Sequence, residues 1–185
     1  MTTTVIFVNG PPRAGKDTFV ELASKHLAKA NVWPDSFSSI DPVRDLLTNS
    51  AGIDLSAKTP ADRKLLADIG AALEEHSNWR TEKVVEFCKN SAWKGAGHGY
   101  DTAVFIHIRE PQNIQRVIRR LREIGGFRVT TAFVDGPRAV DVDNVADRAI
   151  RLMSYDWTLD NDSTIEAFDT VARLWVDQIG FKEVK

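Results

Sequence analysis

The segment Gly10-Pro11-Pro12-Arg13-Ala14-Gly15-Lys16-Asp17-Thr18 constrains this chain more tightly than any other stretch of it. It follows Thr2 to Asn9, a β-branched and apolar run that reads as a buried strand. From Lys16 onward Phe19, Val20, Leu22, Ala23 and Leu27 recur at helical spacing, so a helix is expected to about Ala30. A glycine-rich loop between strand and helix lets successive backbone N–H groups curl around an anion, and the helix adds the positive potential of its N-terminal end. The pattern G-x-x-x-x-G-K also places an ammonium where it reaches the β and γ phosphates of ATP. A plain turn with a solvated lysine uses the same letters, but the flanking strand and helix are the context a phosphate cradle requires. The cradle therefore comprises Gly10, Arg13, Ala14, Gly15, Lys16, Asp17 and Thr18, with Lys16 as its central chemical group.

The rest of the chain alternates between the two periods. Ser36 to Ile40 reads as a short strand, and Asp41-Pro42 as the N-cap and first residue of a helix carrying Val43, Leu46 and Leu47. Asn49 to Lys58 reads as a loop. Helices are expected from Thr59 to about His76 and again from about Thr81, then a three-glycine loop over Lys94 to Tyr100. Thr102 to Ile108 and Phe127 to Val134 read as strands, separated by a helix from Pro111 to about Glu123 that Gly125-Gly126 ends. Trp157 to Leu159 suggests a last short strand, and Ser163 with Glu166 a capping box for the final helix. Strands alternating with helices indicate βαβ units and a parallel sheet covered on both faces. Ligands of such sheets bind at the strands' C-terminal ends, which gathers the loops after Asn9, Ile40, Ile108 and Val134 around one site.

The length of 185 residues suits one domain, and 43% hydrophobic residues suffice for its core. A formal net charge of −2 gives no global sign of a nucleic-acid or membrane partner. The single cysteine, Cys88, excludes an internal disulfide and multi-cysteine metal motifs. The apolar run at Val5 to Val8 is too short to span a membrane, so a cytoplasmic protein is expected.

Val8-Asn9-Gly10 through Gly15-Lys16-Asp17-Thr18 resembles the nucleoside monophosphate kinase-like P-loop kinases, and among them the phage-type deoxynucleoside monophosphate kinases. Ser39-Ile40-Asp41-Pro42-Val43-Arg44 and Leu159-Asp160-Asn161-Asp162-Ser163 are similar to further segments of that family. The resemblance implies an α/β, three-layer αβα P-loop NTPase fold with a mainly parallel five-stranded sheet. It implies one kinase domain over 1–185 with a helical acceptor-binding insertion at about 41–94, using ATP and Mg2+. The acceptor it implies is a deoxynucleotide, first a free deoxynucleoside monophosphate (dNMP). The alternative is 5-hydroxymethyluracil in DNA, as in bacteriophage DNA hypermodification, which would place the protein in the host cytoplasm. A nucleotide-binding switch without transfer is the reading from another class.

Two positions depart from the family pattern. Asp17 replaces the Ser or Thr that ligates magnesium directly, so Asp17 is expected to hold the metal through water or to accept a proton, with Thr18 in a secondary metal or phosphate role. His107 stands in Ile106-His107-Ile108-Arg109 where an aspartate commonly precedes the arginine, leaving Asp41 and Glu110 as substitute carboxylates. Arg109, at a strand's C-terminal end, suits a phosphoryl-transfer clamp, though a surface ion pair is the equal alternative. Asp41 and Arg44 are candidates for the acceptor site, and Arg138 for the nucleotide or a lid. Arg63, Lys64, Trp79 and Arg80 lie on helices that could add to the acceptor site. Arg116, Arg119, Arg120 and Arg122 read first as a solvated face.

Overall fold

The computed structural model describes residues 1–137, 139 and 145–181; of residues 145–147 only the backbone is described. Arg138 lies outside the described residues. The described elements are β1 (Thr3–Asn9), α1 (Lys16–Lys29), β2 (Val32–Ser38), α2 (Asp41–Asp45) running into a π-helical turn (Leu46–Ser50), α3 (Pro60–Ser77), α4 (Trp79–Gly97), β3 (Asp101–His107), α5 (Pro111–Ile124), β4 (Phe127–Asp135), α6 (Val145–Leu152), β5 (Trp157–Asp160) and α7 (Ile165–Ile179). The strands form one sheet in the order β2-β3-β1-β4-β5, with every pairing parallel. All C-terminal ends therefore share one edge, and β1, which carries the glycine loop, lies at the sheet's centre.

Alternation along β1 sends its side chains into two cores. Ile6 and Val8 pack with Phe19 and Leu27 of α1 and with Phe168 and Trp175 of α7. Val5 and Phe7 face the other way, against Val84 and Cys88 of α4 and Ile114 and Leu121 of α5. This two-sided burial explains why β1 is apolar on both faces. Burial pushes the Cys88 thiol up to about 12, so it remains a protonated core side chain at neutral pH. A third cluster of Val43, Leu47, Leu55 and Leu66, with Trp79 against it, holds α2, α3 and α4 together beside the C-terminal edge. No helix among the described residues is long and apolar enough to cross a membrane.

Four elements differ from the sequence-based expectation. The second strand is Val32–Ser38 rather than Ser36–Ile40. Pro34 argues against a strand interior, but β2 is an edge strand pairing only with β3, and an edge tolerates a missing N–H. Its last rung is Ser39 N–H donating to His107 O at 3.0 Å, after which the chain turns into α2 with Ile40, not Asp41, at the N-cap. Second, α4 starts at Trp79, because Asn78 adopts the left-handed conformation (φ 53°) and serves as both the end of α3 and the start of α4. The same helix runs on through the stretch read as a glycine loop. A Cβ at Gly95 would stand 2.1 Å from Thr102 Oγ1, so this glycine marks close helix–strand packing rather than a break. Third, α6 occupies a stretch to which the sequence reading assigned no element. Fourth, the final helix is capped by Thr164, whose hydroxyl accepts from Ala167 N at 3.3 Å, in place of Ser163.

Candidate active site

The loop after β1 turns through three residues with left-handed backbone, Gly10 (φ 144°), Arg13 (φ 64°) and Gly15 (φ 96°). Glycine is required at two of them on steric grounds. A Cβ on Gly10 would lie 2.1 Å from the Val134 carbonyl oxygen, and one on Gly15 2.3 Å from Asn161 Nδ2. Two asparagines pin the loop. Asn9 accepts from Gly10 N–H at 2.9 Å and donates to Ile108 O at 3.1 Å, tying the end of β1 to the chain leaving β3. From the far side, Asn161, just beyond β5, donates to Ala14 O at 3.0 Å.

Lys16 lies within this curl. Its Nζ donates to Gly10 O at 2.8 Å and to Pro11 O at 2.7 Å. Among the described residues no side chain caps the N-terminus of α1, so the first-turn N–H groups retain their affinity for an anion. Asp17 is exposed in that first turn and Thr18 is half-buried beside it, while Arg13 is exposed on the loop.

Next to the loop, a cavity of about 440 Å³ opens between the sheet edge and helices α2 to α4. Lys16, Arg44, Arg63, Arg80 and Arg109 converge on it from five different segments, against one lining carboxylate among the described residues, Glu110. Ile40, Leu66 and Ile108 form its apolar wall. Arg80 is 6% exposed, and its Nη2 donates to Ser39 Oγ at 2.8 Å and to Glu110 Oε2 at 3.3 Å. Gly70 makes room for it, since a Cβ there would sit 3.3 Å from Arg80 Cδ. Arg44 pairs with Asp41 one helical turn away. Below Arg80, Glu74 is 4% exposed and accepts from the Thr81 hydroxyl at 2.5 Å, the Thr81 N–H at 3.0 Å and Arg116 Nη1 at 3.4 Å.

His107 ends β3 at the cavity wall. Burial pushes its imidazole below the ordinary value, Lys16 acts in the same direction, and the Asp17 and Asp41 carboxylates oppose them. His107 is therefore uncharged at neutral pH.

Of the residues read from sequence, Gly10, Lys16, Arg44 and Arg109 line one cavity. Asp17 and Asp41 do not line it but are close enough to act on His107. Arg13 does not line the cavity, and Arg138 lies outside the described residues. Asn9 and Ser39 were not singled out by sequence. Arg63 and Arg80, read from sequence as residues that could add to an acceptor site, line the cavity too, and Asn161 was noted only as part of a resembling turn.

No protein-family model matches the chain, and no curated protein matches its sequence. Among solved structures it is similar to the APS kinase CysC of Mycobacterium tuberculosis in complex with AMPPNP and APS, at 11% identity and a TM-score of 0.52, over 96% of this chain and 98% of that one. It is similar also to dephospho-CoA kinase from Campylobacter jejuni, at 14% identity and a TM-score of 0.52, over 96% and 97% of the two chains. At these identities the likeness is one of architecture: the chain has the three-layer P-loop fold, with a five-stranded parallel sheet, that those kinases share.

Proposed function

We propose that this chain is an ATP-dependent phosphotransferase that moves the γ-phosphate of ATP to a phosphorylated small acceptor, a deoxynucleoside monophosphate above all. The observation that carries the reading is the convergence of Lys16 and four arginines on a cavity of about 440 Å³ beside the phosphate loop. That volume is in the range of small-molecule sites, and its excess positive charge suits a phosphate dianion. The phosphates of ATP would lie in the loop, against the backbone N–H groups and the start of α1. Lys16 would exchange its two loop carbonyls for phosphate oxygens and neutralise the charge developing on the transferred group. Arg44, Arg63 and Arg80 would hold the acceptor phosphate, and Arg109 would stand at the junction of the two substrates.

The oxygen donors Asp17, Thr18 and Asp41 are hard ligands of the type Mg2+ takes. Among the described residues no group of three or more His, Cys, Asp or Glu side chains forms a metal cage. That fits an ion held chiefly by nucleotide phosphates and touched by one or two carboxylates. Bound there, Mg2+ would offset phosphate charge.

A second reading rests on His107. A hydroxyl acceptor must lose a proton and a phosphate acceptor need not, and an uncharged imidazole beside Lys16 can take one. This favours transfer to 5-hydroxymethyluracil in DNA. Against it, Arg116 and Arg120 of the arginine-rich helix are paired with Glu74, Glu82 and Glu123, which reduces the basic face offered to a phosphate backbone.

Transfer of radiolabelled γ-phosphate with Mg2+, offered to the four dNMPs and to duplex DNA with and without 5-hydroxymethyluracil, tests both. Label on a dNMP that Lys16→Ala abolishes supports the first reading; label on modified DNA alone replaces it. ATP binding with no acceptor-dependent turnover would leave a nucleotide switch.

A further inference from the structure

The turn from α6 into β5 is clamped onto β4. Asp156 Oδ2 accepts from Thr131 N–H at 2.8 Å and from the Thr130 and Thr131 hydroxyls at 3.1 and 3.0 Å, and Asp156 N–H donates back to Thr131 Oγ1 at 2.9 Å. The neighbouring Tyr155 ring packs on Phe133, with centroids 5.0 Å apart. Phe133 is the β4 residue in register with Asn9, so the phenol reaches the strand end that carries the phosphate loop. Its hydroxyl oxygen is buried and makes no hydrogen bond of full geometry among the described residues. Burial pushes that hydroxyl up to about 12, and the Asn9 side chain, within reach, pulls the other way.

Asn9 has one place left for it. Its amide nitrogen donates to Ile108 O at 3.1 Å and to Arg109 O at 3.4 Å, and its Oδ1 accepts from Gly10 N–H at 2.9 Å. An amide oxygen accepts twice, so the second lone pair of Oδ1 matches the phenol's unused proton. A buried donor left unpaired costs free energy, which favours any rearrangement that closes the pair. At present Lys16 holds the Gly10 and Pro11 carbonyls. Phosphate entering the loop would draw Lys16 away and release the Gly10 peptide, and Asn9 with it.

We infer that Tyr155 is a positioning residue for the nucleotide: as the phosphates of ATP fill the loop, its hydroxyl closes onto Asn9 Oδ1 and fixes Gly10 in the bound conformation. The inference rests on the reading of the loop as the ATP site. Tyr155 does not line the cavity and acts through Asn9, which does. A hydrogen bond completed only in the bound state adds to nucleotide affinity and nothing to the stability of the free protein.

The test is equilibrium binding of a non-hydrolysable ATP analogue with Mg2+ to the wild type, Tyr155→Phe, Asn9→Ala, their double variant and Lys16→Ala, with thermal melts of the free proteins. Tyr155→Phe keeps the ring on Phe133 and removes only the hydroxyl. It should bind the analogue about fivefold more weakly, the worth of one net hydrogen bond, and melt no lower than the wild type. On the Asn9→Ala background the same substitution should change affinity by less than about twofold. Unchanged affinity, a lower melting temperature of free Tyr155→Phe, or a loss that persists without Asn9 would each overturn the inference. Binding that Lys16→Ala weakens and Tyr155→Phe does not removes Tyr155 and leaves the loop as the ATP site. A wild type that binds no analogue removes both. The expected pattern in binding, with no label transferred to any acceptor, keeps Tyr155 and removes the phosphotransferase reading.

Discussion

On the proposed reading, the two sides of the cavity would receive anions by different physical means. On the loop side the groups offered to phosphate would be backbone, held by left-handed turns at Gly10, Arg13 and Gly15 and pinned by Asn9 and Asn161. On the helical side they are guanidinium groups from α2, α3, α4 and the segment after β3, with Arg80 and Arg44 each held by neighbouring oxygens. A backbone cradle is local, and little can be substituted without losing the turn. A side-chain cradle is assembled by tertiary packing, and its members can be removed one at a time. The contrast predicts that loop variants act through chemistry and geometry, whereas helical variants divide between stability and acceptor affinity according to burial.

The largest effect is expected at Lys16. Lys16→Ala should lower γ-phosphate transfer by on the order of 10³-fold, about 4 kcal/mol of transition-state stabilisation. The side chain is only half-buried and its partners are two carbonyls of the loop, so thermal unfolding should barely move. Transfer retained within tenfold would remove Lys16 from the chemistry.

Next in size, Arg80 and Arg63 separate the two roles within the helical side. Arg80→Leu strips Ser39 and Glu110 of their buried partner and should cost about 2–3 kcal/mol in denaturant unfolding, with a raised KM for the acceptor. Arg63 is exposed, so Arg63→Ala should raise the same KM while leaving stability within about 0.5 kcal/mol. If both variants lose the same stability, burial is not what distinguishes them.

A smaller effect tests the pinning of the loop. Gly15→Ala puts a Cβ 2.3 Å from Asn161 Nδ2 and adds left-handed strain. Pairing it with Asn161→Gly relieves the clash and leaves the strain, about 1 kcal/mol. The double variant should therefore be more stable than Gly15→Ala alone. At Gly10 the obstacle is the Val134 carbonyl, and no side-chain change can relieve it. Additive losses in the Gly15–Asn161 cycle would show that the asparagine does not bear on the glycine.

The same contrast governs what could be read from sequence. The loop lies in one contiguous segment after an unmistakable strand, and parallel βαβ topology follows from the alternation of periods. The helical side gathers partners that are far apart in the chain. Ser39 and Glu110 lie 41 and 30 positions from Arg80, and no local pattern links them. Where boundaries slipped, tertiary context outweighed a local rule. Pro34 is tolerated because its strand is at the edge, and Gly95 sits inside a helix because Thr102 presses against it.

The smallest effect is expected at His107, where the two sides meet. Lys16 and Asp17 face it from α1 and Asp41 from α2, and burial, with Lys16 acting in the same direction, outweighs the two carboxylates in holding its imidazole below the ordinary value of 6.5. Just below that value an unfolded chain takes up the proton and the folded one resists it. The contribution to stability is therefore fully present above about 6.5 and is lost as pH falls toward the lowered folded value, below which it levels off. His107→Gln cannot titrate, so its stability should fall less steeply than the wild type's between roughly pH 7 and pH 5 in denaturant melts. Parallel curves would mean that Asp17 and Asp41 cancel the burial of the imidazole, and that the cavity wall is as wet as the loop rim. A shallower curve for the variant would mean that the wall is dry enough to set a protonation state, as a site that moves phosphate rather than merely binding it requires.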